Sequence, residues 1–389
     1  MKTASRLENR VKLRVEYALK IAVFLALVLC VGSNTLALAG GKPFQNSVIL
    51  SGGGFKIGMH LGFYHAMLDA GISPDLIIGT CGGGITAGII EKFPNDPNAQ
   101  EDFLLSEKSF HLLGSVDSSP FAELAPLIGT KIQALVNLKK KRYPDFVKRY
   151  VFNVPQDLGL FGDLKFSPRS STKNFATIIQ ATEFDGEARD IVQRRKVRGR
   201  EFAQVYFTDS ETANALAGFE SPISFLNKSR IQRQTRTVSD VKVDDAVRAG
   251  MSDPFLMAPK TINGKIYLTG GTDVFPLEMA EYLSENAHYF YRNGLSPIMD
   301  RLFKAVFGFF MVEKVFKVQK DDETLMWDTE LTKEEAFEPK IRLSQGGMGS
   351  AIPAGYADYH RLMLAQYEKG YSAATRQIFA HRHLKPAGK

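Results

Sequence analysis

Two short apolar runs each end in a cluster of glycines, and that repeat limits what the chain can fold into. Val48-Ile49-Leu50 leads into Ser51-Gly52-Gly53-Gly54, and Leu76-Ile77-Ile78 leads into Gly79-Thr80-Cys81-Gly82-Gly83-Gly84. Apolar runs of this length, bounded by glycine, read as buried parallel strands. A stretch with helical periodicity follows each turn. Strand, tight turn and helix, repeated, predict an α/β sheet with a reactive centre on its loops. The second turn has the form G-x-C-x-G, a nucleophile elbow carrying sulfur in place of the usual oxygen. Gly79, Gly82 and Gly83 meet the demand for small residues where backbones crowd a strained turn. Cys81 would then sit at a helix N-terminus, whose partial positive charge favours a thiolate. The bare backbone N–H groups of Gly52, Gly53 and Gly54 suit an oxyanion or a phosphate. A dinucleotide-binding turn is the alternative for one such loop, but it predicts an acidic residue ending the next strand. Here that strand ends in the elbow.

The rest of the chain alternates in the same way. Gly58 to Ala70 carries Leu61, Tyr64, His65 and Leu68 at helical steps, which predicts a helix with one buried face, closed by Gly71. Residues 100–160 read as mostly helical, broken at Pro120, Pro126, Pro144 and Pro155. Phe175 to Thr182 and Phe202 to Phe207 read as strands, the first followed by a turn at 184–187. Val243 to Ala249 reads as a helix, and Ile262 to Leu268 as a hairpin across Asn263-Gly264. The expected fold is α/β: a three-layer α/β/α sandwich with a mostly parallel central sheet across residues 46–285. Residues 286–389 read as a helical C-terminal extension. Within it, Leu302 to Val318 predicts one helix that is apolar on nearly every side. It reads either as core or as a lid over an acyl pocket, with Phe303, Phe307 and Phe310 toward the acyl path and Lys304, Lys314 and Lys317 outward.

Residues 1–39 form a separate segment. Six Lys or Arg against two Glu up to Lys20 precede an apolar run, Ile21 to Gly32, and an Ala37-Leu38-Ala39 end. That pattern is a secretory signal peptide, or else an N-terminal membrane anchor. A lipid-modified Cys30 fits less well, because Leu29 is larger than lipidation favours. The leader holds four of the seven excess positive charges, so the net charge is no argument for nucleic-acid binding. Two basic runs remain, Lys139 to Arg142 and Arg194 to Arg200, which read as solvated faces or as contacts for anionic lipid head groups. Of the two cysteines, Cys30 lies in the leader, so no intrachain disulfide and no thiolate cluster is open to the remainder. His381 and His383 have no partner at metal-ligand spacing. No metal and no cofactor are expected.

Four segments, in order, resemble the patatin-like phospholipase family. SGGGFKIGMHLGFYHAMLDAGI from Ser51 is similar to its oxyanion segment, with Lys56 at a usual basic position and His60 and Gly62 in place. GTCGGGITAGI is similar to its elbow, Ala246 to Pro259 to the segment before its catalytic hairpin, and Tyr267 to Ala280 to that hairpin. The resemblance implies a Ser–Asp dyad acting on lipid acyl esters, an oxyanion hole at Gly52, Gly53 and Gly54, and anion binding at Lys56. It also implies membrane lipid as the partner. The chain departs from the pattern where the chemistry is. Cys81 holds the serine position, Thr269 holds the aspartate position, and Ile57 replaces a glycine. The turn after Gly271 is also one residue short before Pro276. A thiol ionises more readily than a hydroxyl, so losing the aspartate damages a cysteine enzyme less. Releasing the thioester still needs a base, which Thr269 cannot be. Asp273 is the substitute the sequence offers first and Asp253 the second. Two readings follow: a lipid acyl hydrolase or acyltransferase using Cys81, or a catalytically silent relative that binds lipid or a partner protein.

Overall fold

The computed structural model describes residues 41–52, 54–114, 117–118, 142–289, 297–315, 340–342, 347–349, 353 and 355–384. The leader reading at 1–39, Gly53, Lys139 to Lys141 and Lys317 lie outside the described residues. From Pro43 onward the chain forms one compact unit.

The first apolar run is strand β1 (Phe44–Leu50), followed by helix α1 (Ile57–Asp69), strand β2 (Leu76–Thr80) and helix α2 (Gly82–Lys92). Helices α3 (Pro97–Leu105) and α4 (Glu107–Gly114) come next. Residues 142–160, expected to be helical, hold no helix among the described residues; they run as extended loop with a short strand at Phe152–Asn153. Pro144 and Pro155 lack the N–H that a helix interior needs, so these prolines dominate the segment instead of punctuating helices.

Strands β3 (Ala176–Phe184), β4 (Phe202–Phe207) and β5 (Arg236–Val238) continue the sheet, followed by helix α5 (Val243–Met251). The hairpin of β6 (Lys260–Ile262) and β7 (Lys265–Leu268) turns through Asn263 at φ 50° and Gly264 at φ 79°, the left-handed pair that a two-residue turn requires. Helix α6 (Leu277–Leu283) leads into edge strand β8 (Ser284–Tyr289). The sheet order is β8-β1-β2-β3-β4-β5, with β7 also paired to β3 and β6 to β7. The run β8-β1-β2-β3 is parallel throughout, while β4 and β7 meet β3 antiparallel.

Period-two alternation divides the apolar side chains between two faces. Val48 and Leu50 of β1, Ile77 of β2 and Ile179 of β3 enter one core, under α1, α2 and α5. Ile49, Ile78 and Ile178 enter the other, with Phe303 and Phe307. The result is the expected sandwich: helices, mixed but mostly parallel sheet, helices.

Two helical expectations change. Helix α1 is buried from Ile57 to Met67 on all sides rather than along one stripe. The long helix α9 (Tyr356–Leu384) covers its outer side. A Cβ on Gly62 would stand 2.1 Å from the Tyr367 carbonyl oxygen, so only glycine allows the two backbones that close. The stretch Leu302 to Val318 is not one helix either. Helix α7 (Pro297–Phe307) stops at Gly308, whose φ of 92° breaks the spiral, and α8 (Met311–Val315) restarts after it. Phe303 and Phe307 are fully buried, each contributing roughly 1.5–3 kcal/mol as ordinary core. Phe310 lies half-buried under Lys304, at 3.5 Å from ring centroid to ammonium. Lys314 is buried in an ion pair rather than turned outward. Among the described residues, no helix is long and apolar enough to cross a membrane.

Candidate active site

Strand register carries the elbow and the hairpin to one spot. Strand β2 climbs β3 as far as Thr80 opposite Gln180, and β7 descends β3 as far as Leu268 opposite Thr182. The two strands approach head to head on the same side of β3, two residues apart. The next residue of each, Cys81 and Thr269, therefore converges on Ala181. Side chains of β3 tie the hairpin end in place. Gln180 Nε2 donates to the Gly270 carbonyl at 2.7 Å, and Thr182 Oγ1 to the Thr269 carbonyl at 2.9 Å.

Cys81 occupies the junction between β2 and α2 with φ 49° and ψ −124°, a backbone state that non-glycine residues rarely adopt. Such strain persists only where the surroundings over-determine it. Here they do. A Cβ on Gly82 would lie 1.9 Å from the Gly54 carbonyl oxygen, and one on Gly83 would lie 2.0 Å from that of Leu50. The strand end and the first glycine loop are thus clamped onto the start of α2. A Cβ on Gly52 would stand 3.3 Å from Cys81 Cβ, so the loop after β1 and the elbow face one another directly. Lys56, at the entry to α1, is buried; beside it His60 is held near pKa 3, first by burial and then by the Lys56 charge. His60 is therefore neutral at any working pH and supplies no acid.

The carboxylate beside the sulfur is Asp253. Cys81 Sγ reaches Asp253 Oδ2 at 4.0 Å, the outer limit for a sulfur donor. Burial pushes the Asp253 carboxyl up to about 6, against a smaller downward pull from the Thr269 hydroxyl bonded to it. A carboxyl near 6 is a competent proton acceptor at neutral pH. Asp253 is fixed from behind: Thr269 N donates to the Ser252 carbonyl at 3.1 Å, and Arg248 Nη1 donates to Ser252 Oγ at 2.6 Å. Arg248 is wholly buried, with its remaining donors on the carbonyls of Val154, Pro155 and Ala258. Sequence reasoning passed over Arg248, Ser252, Gln180 and Thr182. The one available signal was a basic residue inside the helix preceding Ser252-Asp253-Pro254.

Asp273, the first substitute offered by the sequence, stands elsewhere. It lies in the 3-10 turn Gly270–Asp273, with Oδ1 at 3.6 Å from the buried ammonium of Lys314, and α8 packs on that turn. The turn itself stays beside β3, where Gln180 Nε2 donates to the Asp273 carbonyl at 3.2 Å, but the Asp273 carboxylate is turned to Lys314, and the carboxylate at the thiol is that of Asp253. Thr269 itself is buried; its hydroxyl accepts from Gly271 N at 2.8 Å. Among the described residues, no three His, Cys, Asp or Glu gather as metal ligands.

The family model described as patatin-like phospholipase matches residues 48–281, more than half of the chain. The chain belongs to the patatin-like phospholipase family. The matched span runs from β1 through both glycine loops, α5 and the hairpin into α6, so it encloses all of the convergence just described. Among solved structures, VipD from Legionella pneumophila is similar, at 12% identity and a TM-score of 0.34, over 87% of this chain and 68% of VipD. No curated protein matches the chain. Within this patatin-like domain, the fold brings the thiol at 81 and the carboxylate at 253 to 4.0 Å of one another.

Proposed function

We propose that the protein is a lipid acyl hydrolase or acyltransferase in which Cys81 is the nucleophile and Asp253 its general base. The observation that carries this is the 4.0 Å approach of Asp253 to the Cys81 sulfur at a strained elbow. Asp253 accepts the thiol proton as the sulfur bonds to the ester carbonyl carbon. The negative charge on the carbonyl oxygen develops against the backbone of the glycine loop, with Gly52, Gly53 and Gly54 as the donors that the family resemblance implies. As the C–O bond breaks, protonated Asp253 returns the proton to the departing alkoxide. Water, or an acceptor alcohol, then attacks the thioester and gives its proton to Asp253, which passes it to the departing Cys81 sulfur, so that thiol and carboxylate are both restored. Thr269 holds the carboxylate that its own position no longer supplies. An apo separation of 4.0 Å is compatible with transfer, since catalytic contacts commonly tighten when substrate binds. Lys56 fits the anion-binding role as a buried cation near the loop.

A membrane or exported setting through residues 1–39 agrees with a lipid substrate, and N-terminal sequencing of the purified protein reads it directly. The test of the activity is a short-chain activated ester, followed by intact mass. Wild-type protein should gain one acyl group on Cys81 and turn over, and Cys81→Ala should do neither. If wild-type protein neither acylates nor turns over while its fold is intact, the catalytically silent reading holds.

A further inference from the structure

Arg142 and the basic run Arg194 to Arg200, far apart in sequence, meet at one edge of the domain, beside the ends of strands β3 and β4. Arg142 and Lys196 form an antiparallel bridge, and Tyr143 N donates to the Arg195 carbonyl at 3.2 Å. Strand β3 passes the elbow at Gln180 and runs on to Phe184, four residues or ~13 Å further, before the chain leaves the sheet. Phe184 pairs with Phe202, where β4 begins, so the loop 185–201 starts and ends on that edge.

The acidic groups of the loop are already engaged. Asp190 pairs with Arg195, Glu187 with Arg189, and Asp185 with Arg236 and Gln232. Glu201 accepts from the Arg198 backbone at 2.9 Å. By contrast Arg142, Arg194, Lys196, Arg198 and Arg200 have no carboxylate within 4.0 Å among the described residues. All but Arg194 are exposed. The same half of the domain carries an exposed aromatic side chain beside a cation. Phe225 is 64% exposed, with the Arg233 guanidinium 5.4 Å from its ring centroid. Gln232, the chain neighbour of Arg233, donates to the Arg200 carbonyl at 3.3 Å, so the segment under Phe225 is tied to the basic loop.

We propose that this edge docks the protein on an anionic phospholipid surface. The unpaired cations take the head-group phosphates and Phe225 enters the boundary between head groups and acyl chains. Docking there brings the domain to a lipid surface, and its purpose rests on the acyl-ester reading above. A single exposed phenylalanine among cations matches an interface of charge over hydrocarbon. A single-strand nucleic-acid groove would instead present several stacking rings along a channel, and Tyr143 on this edge is buried.

The full chain, carrying Cys81→Ala so that no substrate is consumed, is sedimented with vesicles. One set is phosphatidylcholine alone and the other is phosphatidylcholine with phosphatidylserine. The reading is the gain in affinity on adding phosphatidylserine, compared between proteins that share the same basic residues 1–39, so that only the difference between variants is attributed to this edge. We expect a gain that high salt abolishes, at about fivefold per charge contacted. The combined change Arg142→Glu, Lys196→Glu, Arg198→Glu, Arg200→Glu should remove this edge's share of it. Phe225→Ser should weaken binding to the anionic vesicles about tenfold in low and high salt alike. All five side chains are exposed, so thermal melting should not move. Equal binding of wild type to both vesicle types, or full affinity in the quadruple variant, overturns the proposal. So does tighter binding to a single-stranded RNA oligonucleotide than to anionic vesicles. Docking without ester cleavage by the wild-type protein would fail the catalytic reading alone.

Discussion

Asp253 and Asp273 lie at the two ends of the same hairpin assembly, and burial pushes both carboxyls upward. Their surroundings then part. Asp273 meets Lys314, which also pairs with Glu278, and the three charges tie α8 to the 3-10 turn and to α6. Asp253 meets a thiol and a hydroxyl, with no cation within 4.0 Å among the described residues. A buried carboxylate beside an ammonium is committed to holding two elements together. One beside a thiol keeps the capacity to accept a proton. The difference separates a structural knot from a candidate catalytic pair inside one domain.

The knot should give the largest effect. Lys314→Met leaves Asp273 buried without its cation and should cost about 3–5 kcal/mol in urea denaturation. Asp273 has a raised folded-state pKa, and losing Lys314 raises it further. Its stability contribution is therefore lost as pH rises, and the deficit should grow from pH 5 to pH 8. Adding Asp273→Asn should restore most of the loss. Alkylation of Cys81 should be unaffected in both variants; a changed rate would mean the two regions are not separate.

Gly82→Ala strikes the other region. Its methyl would sit 1.9 Å from the Gly54 carbonyl oxygen, so elbow and glycine loop must part. The expected cost is about 1–3 kcal/mol, with turnover of an activated ester falling more than about 100-fold. Asp253→Asn should do the opposite to stability. The folded pKa of about 6 lies above the ordinary 3.8, so Asp253 favours the folded state below the lower value and loses that advantage by the upper one. Removing the charge should thus raise stability at pH 8 by about 1–2 kcal/mol, discounted for its partial solvent access, and leave pH 3 unchanged. Thermal melting at the two pH values checks it. The smallest effect belongs to Thr269→Val. Its hydroxyl lowers the Asp253 pKa, so its loss should move the acid limb of turnover up by up to about one pH unit.

The two glycine turns and both strands before them were legible because short apolar runs ending in glycines have one economical reading, and the 202–207 strand because it is rich in aromatic and β-branched residues. The Asn263-Gly264 turn was legible for the same local reason. The partner of Cys81 was not, since Asp253 reaches it only through the head-to-head meeting of β2 and β7 on β3. No spacing in the sequence reports such a meeting, and Asp273 looked the better candidate for being four residues from Thr269. The break at Gly308 was hidden because glycine is tolerated within an apolar helical run. It became a break because a Cβ there would stand 2.1 Å from the Lys228 carbonyl oxygen, a close approach made only in the folded chain.

The pairing of Cys81 with Asp253 is tested most directly by the pH dependence of acylation. Single-turnover transfer from p-nitrophenyl butyrate to Cys81 would be followed by intact mass in wild-type protein and in Asp253→Asn. The wild-type rate should rise with a midpoint near pH 6, where Asp253 loses its proton. The variant should lose that step and run about 100- to 10,000-fold slower at neutral pH, closing the gap only in alkali, where a thiol ionises unaided. Identical profiles in the two proteins would contradict Asp253 as the base.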